Sequence, residues 1–236
     1  VQINPQQPIV DIPNEQAQLY GLGDRHLVTI GQYLLEQRTA VAFTQLQNAA
    51  LVAGFDVQIC SAYRPFDRQL SIWNAKASGQ RPLLDSTSNP LEFAALTPQK
   101  LIDTILIWSA LPGASRHHWG TDIDVYDANC INQKKLQLIT AEYTNDGPCA
   151  PLHQWLGIHA PKFGFYFPYQ PHLSGVSPEP WHMSYFPVAN QLLAQFSAVE
   201  LAKVLSAAEI SLKSPLLERL TELVNHYVFF VAPSPT

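Results

Sequence analysis

The sequence predicts an α+β chain, with short strands set among helices and a C-terminal helical extension. Three observations carry this. Residues 121–127 alternate, with Ile123 and Val125 on one side and Asp122, Asp124 and Tyr126 on the other, the period of a half-buried strand. Residues 39–53 place Val41, Phe43, Leu46, Ala49, Ala50 and Ala53 in a helical pattern that stops at Gly54, and an apolar run over 55–62 reads as a buried strand. Residues 189–236 change character and read as short amphipathic helices at 189–197, 198–205 and 215–226, closing in a strand-like stretch at 227–232.

The remaining elements follow in order. Residues 1–38 read as an irregular arm, with a possible strand at 9–11 and a polar turn at Asp24-Arg25-His26, where His26 is structural or at the surface. The strand 55–62 delivers Tyr63 and Arg64 to its end, and residues 66–73 are helical if Gln69 is to lie one turn beyond Arg64. Residues 75–96, with Pro82 and Pro90 among Ser, Thr and Asn, form a loop suited to covering part of a cleft. Thr97-Pro98 supplies an N-cap with Pro at the first helical position, and the helix runs through Leu101, Ile102, Ile105, Leu106 and Trp108 to a turn at Pro112-Gly113. A short helix is expected at 152–158. The aromatic residues Phe165, Tyr166, Phe167 and Tyr169 divide between core and cleft wall.

Composition narrows the function. The chain has 236 residues, 14% of them charged, and a formal net charge of −5. It holds no extended Lys/Arg cluster, which argues against nucleic acid, and no apolar run of membrane-spanning length. No obligate protein partner is evident. The chain opens on Val1 with no charged-then-apolar leader, as expected if a signal peptide has been removed or the start trimmed. Of the three cysteines, Cys60 sits in an apolar run and reads as a buried thiol. Cys130 and Cys149 flank a polar segment and are expected to form a disulfide, which suits an oxidising compartment.

The chemistry concentrates in two clusters. Residues 115–124 read Ser-Arg-His-His-Trp-Gly-Thr-Asp-Ile-Asp, and Glu179-Pro180-Trp181-His182 answers them downstream. Hydrolytic zinc takes three His or Asp/Glu ligands and leaves a position for water. His117, Asp124 and His182 supply such a set, with Glu179 as general base. A strand would hold Asp124 at a fixed distance, and Gly120 lets the chain turn into it. Glu179 and His182 share a face if helical, but Pro180 makes a turn equally suitable. Asp122 has two readings, an acceptor that orients a ligand histidine or a strand-surface acid. His118 either donates to an oxyanion or packs, and Trp181 braces the His182 loop. His153, His159 and His172 are not expected to be ligands. Arg64 offers a planar fork suited to a carboxylate, with pairing to Asp67 at the surface as the plain alternative.

The pattern Ser-x-His-x-x-Gly-x-x-x-Asp followed by Glu-x-x-His resembles the zinc D-alanyl-D-alanine carboxypeptidases, which share a fold with lysostaphin-type peptidases and the hedgehog amino-terminal domain. Ser61-Ala62-Tyr63-Arg64, with Gln69 beyond, matches a third motif of that family in the right order. The resemblance covers roughly residues 40–187, and Asp122 departs from it, since the family often has Ala there. It implies a small antiparallel sheet carrying one zinc ion per chain. The domain organisation expected from it is an N-terminal arm over 1–38, a zinc peptidase core over 39–188 and the extension over 189–236. It further implies hydrolysis of peptidoglycan stem peptides in the periplasm or outside the cell, with Glu179 and Arg64 catalytic and Arg64, Gln69, Ser115 and His118 binding substrate. A peptidoglycan endopeptidase, an L,D-carboxypeptidase and a non-catalytic zinc-containing binding protein are the alternatives.

Overall fold

The computed structural model describes residues 14–85 and 89–235, so the strand expected at 9–11 lies outside the described residues. The chain is α+β. Its centre is a four-stranded antiparallel sheet in the order β3-β6-β8-β7, made of β3 (Val57–Ser61), β6 (Asp122–Asp127), β8 (His182–Tyr185) and β7 (Phe165–Tyr166). Two small hairpins accompany it, β1 (Leu27–Ile30) with β2 (Tyr33–Glu36), and β4 (Leu83–Leu84) with β5 (Pro90–Leu91).

The first hairpin replaces the irregular stretch expected there. Val28, Thr29 and Ile30 are β-branched and Gly31 turns the chain at φ +59°, so the strand signal was present but short. Its second strand runs directly into α2 (Gln37–Val52), whose N-cap is Glu36, not Thr39. The Glu36 carboxylate accepts hydrogen bonds from the Arg38 and Thr39 amides, at 3.0 and 2.8 Å. α2 covers one face of the sheet, where Phe43, Leu46 and Ala50 meet Val57, Ile59, Ile123, Val125, Phe165 and Met183. α6 (Ala150–His159) closes the same core with Leu152 and Leu156.

β6 is buried along its whole length, not half-buried. The alternation holds, but the face bearing Asp122, Asp124 and Tyr126 is buried as well. A sequence period reports which residues share a face; it does not report what lies over a polar one.

On that side a second core gathers α3 (Phe66–Ala77), α4 (Pro98–Leu106) and the C-terminal helices α7 (Phe186–Gln195), α8 (Ala198–Ala207), α9 (Lys213–Glu218) and α10 (Leu220–Val224). Thr97 caps α4 through its hydroxyl, which accepts from Lys100 N–H. Phe66, Trp73 and Trp119 pack in one cluster with Leu201, Val204, Leu205 and Leu216, and the Trp73 indole donates to the Ser211 carbonyl at 3.0 Å. Residues 225–229 form a π-helical turn, and no strand is found among the described residues over 227–232, where a strand-like end was expected.

Cys130 and Cys149 do not form the expected disulfide; all three cysteines are free thiols. Both sulfurs are engaged by Asp127: Cys149 is buried and accepts from its amide at 3.5 Å, and Cys130 hydrogen-bonds its carboxylate at 3.6 Å. The intervening segment is ordered by other means. The Glu142 carboxylate accepts from the Gln137 and Ile139 amides, and the Tyr143 hydroxyl donates to the Val125 carbonyl at 2.8 Å.

Leu201 is fully buried, and a Cβ at Gly113 would lie 2.6 Å from it. Leu201→Ala is therefore expected to destabilise the whole chain by about 2–5 kcal/mol in urea unfolding. A change below about 0.5 kcal/mol, the size of an ordinary surface substitution, would show that the extension unfolds apart from the rest.

Candidate metal centre

Sheet register builds the centre. Asp124 on β6 is the direct cross-strand partner of His182 on β8, and Asp122 is the partner of Ser184 two residues along the same face. His117 comes from the turn Arg116–Trp119 that precedes β6. Gly120 ends that turn at φ +70°, where a Cβ would sit 2.4 Å from Leu27 and 2.8 Å from the Glu36 amide nitrogen, so the position suits only glycine. The ligand-capable atoms of His117, Asp124 and His182 lie within 4.8 Å of one another, and all three residues are buried. Among the described residues this is the His/Cys/Asp/Glu group that can hold a metal ion.

Each imidazole is oriented by the nitrogen that faces away from Asp124. His117 Nδ1 lies 2.9 Å from the Ala62 carbonyl, which leaves Nε2 at 3.4 Å from the Asp124 carboxylate. His182 is turned the other way: its Nε2 lies 2.9 Å from Asp122 Oδ1, which leaves Nδ1 at 3.1 Å from Asp124 Oδ1. The two rings meet edge to face at 4.8 Å. The donor set fits a divalent transition metal, with two imidazoles and one carboxylate converging and their outer nitrogens occupied.

Asp122 is thus no surface acid. It is fully buried and accepts from Arg116 Nε at 2.8 Å, from the Thr121 hydroxyl at 2.7 Å and from the Ser184 hydroxyl at 3.1 Å, besides holding His182. Burial alone would raise its pKa, but Arg116 and His182 hold the carboxyl below the usual carboxylate range. Asp124 behaves likewise: burial opposes its charge, and the two histidines overcome that. Burial also works against a charged His182, yet hydrogen bonds to Asp122 and Asp124 push its pKa up to about 10. Two buried carboxylates here demand positive charge.

Glu179 stands beside this group. The segment Glu179–His182 is a turn, closed by His182 N–H donating to the Glu179 carbonyl at 3.0 Å. This settles the local geometry that Pro180 left open. The Glu179 carboxylate lies 3.5 Å from His182 Nδ1 and is pushed up to about 7, chiefly by burial. Arg64 Nη1 donates to Gln69 Oε1 at 2.9 Å and Nη2 to Ser61 Oγ at 3.2 Å, so it is not held at the surface by Asp67.

Arg64, Ser115, His117, Asp124, Glu179 and His182 line one cleft of about 270 Å³. Gln69 and His118 lie behind it. Gln69 is fully buried and its amide donates to the Ala110 carbonyl at 2.6 Å, which fixes the oxygen that grips Arg64. Both ring nitrogens of His118 are taken by backbone: Nδ1 contacts the Arg64 carbonyl, and Nε2 accepts from Gly113 N–H at 3.1 Å. Burial lowers its pKa to about 3, so it is neutral. His153 packs edge-on to Phe167 and His159 stacks on Trp155, and neither lines the cleft. Trp181 lines the cleft and packs on Tyr143 with ring centroids 5.7 Å apart.

Sequence reasoning gave no specific role to Tyr169, whose ring lies 4.7 Å from that of His182 and whose carbonyl accepts Glu179 N–H at 3.2 Å. It also missed Gln137, Leu138 and Ile139, which line the same cleft. No motif marks these residues; only the fold brings them to the site.

The family model described as "VanY: D-alanyl-D-alanine carboxypeptidase" matches residues 32–188, and the chain belongs to that family of peptidases. An uncharacterized protein of Haemophilus influenzae is 33% identical over 121 residues, which is 50% of this chain and 92% of that protein. Among solved structures, VanYB in complex with D-alanine-D-alanine is 22% identical, covers 83% of this chain and 91% of its own, and superposes with a TM-score of 0.53. A vancomycin-resistance D,D-pentapeptidase VanY from a VanB-type cassette, in complex with Zn(II), is 23% identical over 81% of this chain and 91% of its own, with a TM-score of 0.50. At these identities the two structures speak for the fold.

Asp122→Asn keeps the shape but removes the charge behind His182. It is expected to weaken metal affinity by about 10–100-fold, read with zinc against a competing chromophoric chelator. Unchanged affinity would remove the orienting role of Asp122.

Proposed function

We propose that the protein is a zinc-dependent D-alanyl-D-alanine carboxypeptidase acting on peptidoglycan stem peptides. The observation that carries this reading is the placement of one partly buried acid, Glu179, 3.5 Å from His182 Nδ1, in the same cleft as a fixed guanidinium, Arg64. His117 Nε2, Asp124 and His182 Nδ1 are the atoms that would hold one zinc ion. Zinc bound there supplies Lewis acidity to the scissile carbonyl and to the attacking water.

Glu179 is the general base: its carboxylate takes the water proton and returns it to the leaving amine. Its raised pKa, about 7, suits a group that must both accept and release a proton near neutral pH. Arg64 binds the free C-terminal carboxylate of the substrate, or the oxyanion that forms beside it, through N–H groups that Gln69 and Ser61 do not occupy. Ser115, buried in the cleft lining next to the metal turn, binds the substrate backbone. We assign Gln69 and His118 a supporting part: one holds the Arg64 head group and the other its main chain.

Peptidoglycan lies outside the cytoplasm, so the proposal places the protein in the periplasm or beyond it. No helix among the described residues is long and apolar enough to cross a membrane.

Digestion of purified muropeptides by the zinc-loaded protein, read by mass spectrometry, is expected to remove one D-alanine from pentapeptide stems. Loss of a residue from tetrapeptides, or cleavage inside cross-bridges, would reassign the bond cut; no cleavage of any kind would refute the enzyme. Glu179→Gln is expected to keep its zinc and lose about 10²–10⁴-fold in kcat. Arg64→Ala is expected to lose at least about tenfold in kcat/KM, from a charge-assisted hydrogen bond of about 1.5–3 kcal/mol. If Arg64→Ala discriminated free from amidated C-termini as well as the parent does, the carboxylate would have another partner.

A further inference from the structure

We propose that residues 220–232, beyond the span matched by the family model, are a positioning element of the active site. They hold the loop 168–178, and through it Tyr169 and Glu179, over the metal cluster. The inference rests on Glu179 acting as the base.

The loop has no regular structure of its own beyond turns, yet it carries the chain from β7 to Glu179. Three backbone hydrogen bonds from outside fasten it. Ala232 N–H donates to the Pro168 carbonyl at 2.9 Å, Gly175 N–H donates to the Phe230 carbonyl at 3.1 Å, and Ser177 N–H donates to the Ile107 carbonyl at 3.3 Å. Two of the three come from the C-terminal segment. The approach at Gly175 is close enough to exclude any side chain: a Cβ there would lie 2.0 Å from the His226 carbonyl oxygen and 2.8 Å from its carbon.

Packing repeats the arrangement. Leu223, Val224, Tyr227 and Val228 face Tyr169 and Val176 across a small apolar cavity of about 20 Å³. Tyr169 and Val176 line the catalytic cleft on their other side, so one wall separates the C-terminal segment from the substrate. Tyr169 then carries the connection forward. Its carbonyl takes the Glu179 amide at 3.2 Å, and its ring lies 4.7 Å from that of His182. The far end is anchored independently, by Arg219 to Asp103 at 2.8 Å and by burial of Leu220, Leu223 and Val224 in the helical core.

Glu179 thus has no rigid element of its own on its N-terminal side and borrows one from the end of the chain. A base misplaced by about 1 Å can lose about 10²-fold in rate while binding is spared. The candidate metal ligands have anchors of their own, since β6, β8 and the Arg116–Trp119 turn carry them.

The test uses the full-length zinc-loaded protein with Gly175→Ala, which forces the two segments apart, and Val228→Ala, which hollows the cavity from the C-terminal side. Leu216→Ala, in the same extension but outside that cavity, is the control for general destabilisation. Both loop-facing variants are expected to keep one zinc per chain, to lose about tenfold or more in kcat on a muramyl pentapeptide, and to change KM less than twofold. Leu216→Ala should lower Tm and leave kcat of the folded protein unchanged. Unchanged kcat in both loop-facing variants, or an equal loss in Leu216→Ala, would overturn the proposal. Hydrogen exchange over residues 168–182 reads the same brace without turnover. Faster exchange there in Gly175→Ala supports the brace even if the parent cleaves no muropeptide, an outcome that would sink the proposed activity alone; unchanged exchange would count against the brace whatever the activity.

Discussion

The structure depends on one register, that of β6 against β8. It sets Asp124 opposite His182 and Asp122 opposite Ser184, and so places two carboxylates on either side of a single imidazole. A slip of one residue would turn Asp122 and Asp124 into the apolar core and Ile123 toward the cleft. The register is pinned from below, where Ile123, Val125 and Met183 share an apolar core with α2. Burying two acids side by side is costly unless positive charge meets them. Arg116 meets Asp122 through its guanidinium, and the histidines meet Asp124. Apolar packing on one face therefore holds a charged array on the other.

The same logic extends outward in layers. The nitrogen each ring turns toward Asp124 is set by what occupies its opposite side: the Ala62 carbonyl for His117 and the Asp122 carboxylate for His182. Arg64 is aimed by Gln69 and Ser61, and its main chain is tied to the His117 turn twice, by its amide donating to the His117 carbonyl at 3.1 Å and by its own carbonyl meeting His118. The guanidinium and His117 are therefore tied to one another through the main chain. Groups behind the cleft lining still fix its geometry, and the C-terminal segment does for the Glu179 loop what His118 does for Arg64.

Much of this was legible in the chain. Asp122, Ile123, Asp124 and Val125 announced a strand by their alternation, and the types of His117, Asp124, Glu179 and His182, together with the family resemblance, pointed to a candidate metal site before any fold was known. Local patterns and ligand chemistry both live within a few residues and survive being read in one dimension. What escaped depended on distant partners. His118 and Gln69 sit inside motifs and read as substrate-binding, but only the fold shows their polar atoms engaged within the protein, by Gly113 N–H and the Arg64 carbonyl for His118 and by the Arg64 guanidinium and the Ala110 carbonyl for Gln69. Cys130 and Cys149 invited a disulfide because nothing local showed that Asp127 engages both sulfurs. The hairpin at residues 27–36 was too short for its period to register, and the closeness of Gly175 to His226 spans the loop and the end of the chain.

Register and ring orientation together define the candidate metal site. Anomalous diffraction at the zinc edge from crystals of the zinc-loaded protein tests it most directly. A single peak is predicted at about 2.0–2.2 Å from His117 Nε2, from His182 Nδ1 and from an Asp124 oxygen, with Asp122 bonded to the far side of His182. A peak coordinated by His182 Nε2 or by Asp122, or no peak among these three residues, would contradict it.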